Sequence, residues 1–308
     1  MLMGIQLGTY EPSEHGNHWG TTLAAAQAAE RAGLDSVWLA DHFMFPDDEQ
    51  PDKEVPVFDC LVALGAIAAS TSRIRLGELV VGVPYRNPAL LAKMVTTLDV
   101  IAGGRTIVGL GAAWHEPEFL AYGWPFPSVR ERMEMLEEAV QVVDRMLTQR
   151  PASFRGKHYQ VNAAYNDPMP VQSPRPPIMI GGSGERVTLR IAAQYADFCN
   201  VGGDPEKVAH RYHVLRQHCE HVGRPPDAIV RCNDMSILIA ANDRELSAKK
   251  ERFGDGFNAI GTPEMIIAQL QRYAHAGSQY VTFHMPDASD VDPILLLGES
   301  VVPEVARM

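Results

Sequence analysis

The sequence has few of the features that mark several large classes of protein. Its four cysteines form no Cys-x-x-Cys pair, so we expect no disulfide framework and a reducing compartment such as the cytoplasm. The net charge of −11 argues against nucleic acid or an anionic membrane as main partner, because both attract a basic surface. The longest apolar run, 60–69, is too short to span a bilayer, and the first ten residues do not resemble a secretion signal.

Several catalytic motifs are also missing from the sequence. There is no serine-histidine-aspartate elbow and no Walker loop. Four histidines lie in the predicted helix 205–221, but on a helix His210 and His221 would be roughly 16 Å apart, too far to share an ion. The first predicted strand, where a barrel hydrolase places metal-binding histidines, contains none. We therefore predict no metal site.

Short apolar runs alternate with amphipathic segments along nearly the whole chain. Strands are predicted at 4–8, 36–40, 74–81, 106–110, 178–180, 198–201, 229–240 and 280–284. Helices are predicted at 21–32, 59–69, 89–101, 129–147, 185–195, 205–221, 263–276 and 301–307. This alternation predicts a parallel sheet, and about eight units favour a closed (β/α)8 TIM barrel, in which residues 1–308 form one domain. The exception is 153–175, a proline-rich stretch without helical period, predicted as an insertion over one barrel mouth after the fourth βα unit.

Residues that could take part in catalysis or binding lie at the ends of predicted strands, where such barrels carry out chemistry. Strand two ends in Asp41-His42, strand four in the segment from Gly111 to Glu116, and strand eight in His284. A histidine beside a carboxylate can be held in one tautomer and suits acid–base catalysis. The same pair can equally be a structural element that caps a loop, and the sequence leaves both interpretations open.

Small residues lie around the end of strand four. Gly111, Ala112 and Ala113 leave a slot for a planar ring, and Trp114 is either a wall of that slot or a core aromatic residue. Arg86 and Lys93 are candidates to hold an acidic tail, although such side chains are usually solvated.

Strand five is followed by the glycine-rich turn Gly181-Gly182-Ser183-Gly184 and then by a predicted helix. Glycines allow close approach of the backbone, Ser183 adds a hydroxyl, and a helix amino terminus attracts negative charge. The turn is therefore a candidate phosphate site, and the alternative is a plain strand-to-helix turn that needs positive φ.

Four segments in order resemble the bacterial luciferase-like superfamily of flavin- and deazaflavin-dependent oxidoreductases, over about residues 4–284. They are AERAGLDSVWLADHF, SRIRLGELVVGVPYRNPALLAKMVTTLDVIAGGR, GLGAAWHEPEF…YGWPFPSVRERMEMLEEA and YNDPMPVQSPRPPIMIGGSGERVTLRIAAQYAD. GLGAAWHE and IMIGGSGE are most similar to the branch that uses the deazaflavin coenzyme F420. The resemblance implies a barrel with an insertion, a ring-shaped cofactor at the carboxyl-terminal mouth, and a homodimer.

The resemblance also implies roles for particular residues. Asp41 and His42 would approach ring and substrate, with His42 the candidate base. Leu79-Val80 matches a bulge behind the ring that carries a non-proline cis peptide in the family. The remaining cofactor contacts would be Gly111, Ala112, Ala113, Trp114, Gly181, Gly182 and Ser183, the last two at the phosphate. Members that oxidise alcohols and sugar phosphates have a Gly-Thr-Gly-Glu type sequence where this chain has Gly111 to Trp114, so a sugar-phosphate dehydrogenase is not predicted.

These observations predict an oxidoreductase that transfers a hydride between F420 and an organic small molecule. Two alternatives remain at this stage. One is an FMN-dependent monooxygenase supplied by a separate reductase, and the other is a flavin-binding protein without turnover.

Overall fold

The computed structural model describes residues 1–8, 17–46 and 54–308. The strands are β1 Leu2–Leu7, β2 Ser36–Leu39, β3 Phe45–Pro46, β4 Glu54–Val55, β5 Arg75–Glu78, β6 Val81–Gly82, β7 Thr106–Gly111, β8 Ala152–Arg155, β9 Gln160–Ala164, β10 Ile178–Gly181, β11 Phe198–Val201, β12 Val230–Ile239, β13 Ala259–Gly261 and β14 Tyr280–His284. The helices are α1 His18–Arg31, α2 Cys60–Ser70, α3 Pro88–Ala102, α4 Glu116–Ala121, α5 Val129–Thr148, α6 Thr188–Tyr195, α7 Pro205–Val222, α8 Asp243–Phe253, α9 Pro263–His275, α10 Asp292–Ser300 and α11 Val302–Val305.

Eight parallel strands close into a barrel surrounded by helices. Their order around it is β1, β2, β5, β7, β10, β11, β12 and β14, and β14 pairs back with β1. The (β/α)8 barrel that the sequence predicts is therefore confirmed. This order places β2 opposite β11 and β5 opposite β12, which decides which side chains face one another at the mouth.

The interior of the barrel is packed with large side chains contributed by six of its strands: Trp38, Ile107, Met179, Phe198, Cys232 and Tyr280. Gly77 makes room for the indole, because a Cβ at Gly77 would lie 2.4 Å from a ring carbon of Trp38. The packed interior leaves space for a ligand at the carboxyl-terminal end of the strands.

The structure differs from the predicted elements at several places. Helix α6 begins at Thr188, three residues later than predicted, and α4, α8, α10 and β13 are elements that the sequence did not predict. Helix α8 buries only Leu246 and so lacks the apolar period on which helix prediction depends.

The predicted insertion contains an antiparallel hairpin of β8 and β9. Residues beyond the hairpin are fixed against the barrel. Asn166 donates to the Thr96 hydroxyl at 2.7 Å, and Gln172 donates to the carbonyl of Thr106, the first residue of β7, also at 2.7 Å. These contacts place this part of the segment at the amino-terminal end of the strands, away from the ends where catalytic groups gather. Across the described ranges, no helix is both long and apolar enough to cross a membrane.

Candidate functional site

A cavity of about 810 Å³ lies at the carboxyl ends of the barrel strands. A volume of this size is in the range of cofactor sites. The predicted site residues that line it are Asp41, His42, Leu79, Val80, Gly111, Ala112, Ala113, Trp114, Gly181 and Gly182. Ser183 is not part of the lining, and its hydroxyl accepts a hydrogen bond from the Gly202 amide at 3.2 Å. The structure thus brings together nearly all of the predicted residues.

His42 has a carboxylate partner, but that partner is not Asp41. The His42 Nδ1 atom lies 3.2 Å from Oε2 of Glu118 on α4, a residue that the sequence did not predict for the site. The His42 ring also makes edge-on contacts with the rings of Trp114 and His115, with centroids 5.7 and 6.1 Å away. The carboxylate that contacts the His42 ring is thus Glu118 and not the neighbouring Asp41, which bonds to Arg86.

Glu118 is fully buried and surrounded by hydrogen-bond donors. Its Oε2 accepts from the Tyr85 hydroxyl at 2.6 Å, and its Oε1 accepts from the backbone amides of Phe43 and Met44. Burial by itself raises the pKa of this carboxyl, but the bonds from His42, Tyr85 and the two amides lower it to about 2. An ionised Glu118 requires a donor at Nδ1, so a neutral His42 ring carries its lone pair on Nε2.

Asp41 belongs to a second buried network behind the cavity. Its Oδ2 accepts from Arg86 Nη1 at 2.5 Å and from the Gly82 amide at 3.0 Å, and Arg86 Nη2 reaches Asp59 at 2.8 Å. Burial disfavours the charged guanidinium, but Asp41 more than compensates and raises the pKa of Arg86. Arg86 is therefore committed to carboxylates of the protein, and the expectation that it holds an acidic tail is not met.

The second candidate for an acidic tail, Lys93, is committed as well. Its ammonium group donates to the backbone carbonyl of Asp167 in the segment that follows the hairpin. Neither basic side chain lines the cavity.

The Leu79–Val80 peptide bond is cis, as the resemblance implied. The Val80 side chain fills the space that the neighbouring glycines leave. A Cβ at Gly111 would lie 2.4 Å from Val80 Cγ2, and a Cβ at Gly181 would lie 2.7 Å from Val80 Cγ1. These glycines therefore admit the valine bulge, and a ring in the cavity would meet Val80 rather than an empty slot.

The glycine-rich turn lies beside this bulge. Gly182 has a φ of +129°, which favours glycine, and its amide donates to the Asn200 carbonyl at 3.0 Å. Thr188, the first residue of α6, also lines the cavity, so the amino terminus of this helix opens onto it. The turn and the helix end together provide the elements of a phosphate site.

The wall on the other side of the cavity is polar. Asp234 of β12 and Asn200 of β11 both line it. Thr282 connects them, because its hydroxyl donates to Asp234 Oδ1 at 3.2 Å and accepts from the side-chain amide Nδ2 of Asn200 at 2.9 Å. Burial raises the pKa of Asp234, and the nearby His284 opposes this shift. The interrupted apolar pattern RCNDMSILI was the only signal for Asp234 in the sequence.

The described residues contain no group of three or more histidine, cysteine, aspartate or glutamate side chains arranged to hold a metal ion.

Many families share the TIM barrel, and comparison with known proteins identifies the one to which this chain belongs. The family model for luciferase-like monooxygenases matches residues 3–253. The chain therefore belongs to the luciferase-like family.

Individual proteins and solved structures are also similar to this chain. A protein of Kineococcus radiotolerans named F420-dependent glucose-6-phosphate dehydrogenase is 28% identical, over 90% of each chain. An F420-dependent secondary alcohol dehydrogenase, solved with an F420–acetone adduct, has a TM-score of 0.82 at 21% identity and covers 99% of this chain and 98% of its own. A monooxygenase from Streptomyces bottropensis has a TM-score of 0.83 at 22% identity, with 98% and 99% covered.

The Glu118 network generates a prediction about stability and pH. Glu118→Gln removes a charged acceptor and should lower the free energy of unfolding at pH 7 by roughly 1.5–3 kcal/mol. Because the folded protein lowers the pKa of Glu118 from 4.5 to about 2, the stabilisation is complete above pH 4.5 and is lost as the pH falls towards 2. The difference between wild type and variant should therefore shrink over that interval.

Urea unfolding at pH 7, 4 and 3 measures this difference. Glu304→Gln, on an exposed ion pair with Arg307, serves as the control and should change stability little at any of these pH values. A Glu118→Gln deficit that stays constant between pH 7 and pH 3 would contradict the assignment of an ionised Glu118.

Proposed function

We propose that this protein is an oxidoreductase that transfers a hydride between coenzyme F420 and an organic substrate in the cavity at the barrel mouth. The observation that carries the proposal is that the Val80 bulge, the Gly182 turn and the His42–Glu118 pair border one cavity. The 28% identical relative whose name specifies F420 supports the same cofactor. The hydride chemistry belongs to the cofactor, and the protein supplies binding, orientation and a proton carrier.

Each part of the cavity has a role in this proposal. Val80 would support the ring from behind, and the backbone amides of the turn that follows Gly182 and of the start of α6 would bind the phosphate. Nε2 of His42 takes the proton when a substrate hydroxyl is oxidised, or returns it in the reverse direction. Glu118 keeps Nδ1 protonated and so holds the ring in the tautomer that this step requires. Asp41 fixes the backbone at Gly82 next to the bulge.

A cofactor titration tests the proposal. F420 should bind the purified protein more tightly than FMN, as measured by fluorescence. Gly182→Asp should weaken F420 binding at least tenfold more than Gly182→Ala does, because both add a Cβ at a φ of +129° but only aspartate adds negative charge. Tighter FMN binding, with oxygen consumption after reduction, would instead identify an FMN-dependent monooxygenase.

The role of His42 has its own test. His42→Ala should lower kcat for an alcohol that the wild-type enzyme oxidises with F420 by about 10²–10⁴-fold, the usual contribution of a general acid or base. The Kd of F420 should stay within a few-fold of wild type. An unchanged kcat would remove His42 from the chemistry, and a lost cofactor affinity would make it a binding residue.

We also propose that the enzyme is a homodimer. Apolar side chains lie on the outer faces of the adjacent helices α2 and α3. Val62 is 72% exposed, Leu90 56% and Ile101 50%, and the small residues Ala66 and Ala69 continue the surface along α2. Clustered exposed apolar side chains are typical of a protein interface. A second copy of the chain is the partner that the family resemblance implies.

Light scattering after size exclusion tests this interface. Wild type should have twice the mass of one chain, and the double variant Val62→Glu/Ile101→Glu should be monomeric at micromolar concentration because it buries two charges. Val129→Glu, at a residue 66% exposed on α5, should remain dimeric. A monomeric wild type would reject the proposal.

A further inference from the structure

Two carboxyl groups line the cavity, and they differ in whether a basic side chain neutralises them. Among the described residues of the lining, the carboxylates are Asp41 and Asp234, and no lysine or arginine is present. Asp41 is neutralised by Arg86 at 2.5 Å. Asp234 forms no ion pair with any described lysine or arginine, and among charged groups nearby His284 is the one that opposes the effect of burial on its pKa. The cavity therefore presents one carboxyl group whose charge the protein balances poorly.

The position of Asp234 in the barrel indicates what its carboxyl group would contact. Strand β12 lies opposite β5 around the barrel, so Asp234 and the bulge at Val80 are on facing walls of the cavity. A planar ring supported from behind by Val80 would turn its other face towards β12. A substrate that exchanges a hydride with that face would then lie between the ring and Asp234.

The unused hydrogen-bond acceptor positions of the Asp234 carboxylate limit which substrates can bind beside it. The Thr282 hydroxyl donates to Oδ1 and the backbone amide of Met235 also bonds to the carboxyl group, whereas a carboxylate offers about four lone-pair positions. A ligand O–H or N–H group would satisfy the remaining ones and offset the cost of burial, and a cationic group would also balance the charge. An anionic ligand group would meet a like charge with no basic side chain in the described lining to offset it.

We infer that Asp234 is a substrate-contacting residue that selects neutral or cationic molecules carrying a hydroxyl or amino group, and that it disfavours carboxylates and phosphate esters. The inference rests on the proposed function for the placement of the ring. It predicts a substrate preference different from the one in the name of the Kineococcus radiotolerans relative.

Probes of equal size and different charge test the selection. Binding of benzyl alcohol, benzylamine and benzoate is measured by ligand-observed NMR, with and without F420. Wild type should bind the amine and the alcohol at least tenfold more tightly than benzoate, and glucose 6-phosphate should bind no better than benzoate. Asp234→Asn should reduce the preference for the amine over benzoate at least tenfold while the Kd of F420 changes less than about twofold.

A matched variant controls for the loss of a buried carboxyl. Asp35 also has a pKa raised by burial, and its Oδ2 accepts from the Met3 amide at 2.7 Å at the opposite end of the barrel. Asp35→Asn should leave the order of the probes unchanged.

Several results would overturn the inference. They are tight benzoate or glucose 6-phosphate binding in wild type, failure of both the alcohol and the amine to bind, and a probe order that Asp234→Asn does not alter. An equal loss of F420 affinity in Asp234→Asn would show that the carboxyl contacts the cofactor instead. Failure of wild type to bind F420 would reject the proposed function, and the order of the probes without cofactor would still decide the role of Asp234.

Discussion

The shape of the cavity depends on the buried carboxylate of Glu118. An unpaired charge in this position would be strongly destabilising, so the segments that donate to it are fixed relative to one another. Those segments are the end of β2 with its following residues, the turn that carries Tyr85, and helix α4 itself. One carboxylate thus connects these segments and orients the histidine that lines the mouth.

Asp41 and His42 show how neighbours in sequence are separated in space. Successive side chains of an extended segment point in opposite directions, so the two cannot share a partner easily. Asp41 turns back to Arg86 and stabilises the backbone near the bulge, whereas His42 turns to Glu118. The result is two separate networks, one that supports the backbone near the bulge and one that orients the His42 ring.

The fold and most of the cavity lining could be predicted from the sequence because their signals are local. Apolar periodicity predicts strands and helices, and the barrel brings the strand ends together without further information. The partners could not be predicted in this way. Glu118 lies 76 positions from His42, and only the tertiary fold brings them within 3.2 Å. The glycines at 111 and 181 gave a correct signal for close approach, but the group that approaches is the Val80 side chain.

The two walls of the cavity differ in a way that bears on how this fold supports different reactions. On the wall formed by β2, β5 and β7, Asp41 is paired with Arg86, and apolar groups and glycines shape the surface. On the wall of β11, β12 and β14, hydroxyl, amide and carboxyl groups are linked to one another but retain capacity towards the cavity. A wall whose hydrogen-bonding groups already have partners in the protein can stay the same when the substrate changes. A wall with unused donors and acceptors must match each substrate. Identity of 28% with an enzyme of similar fold is therefore compatible with a shared cofactor and a different substrate, since a few side chains on the second wall are enough to separate them.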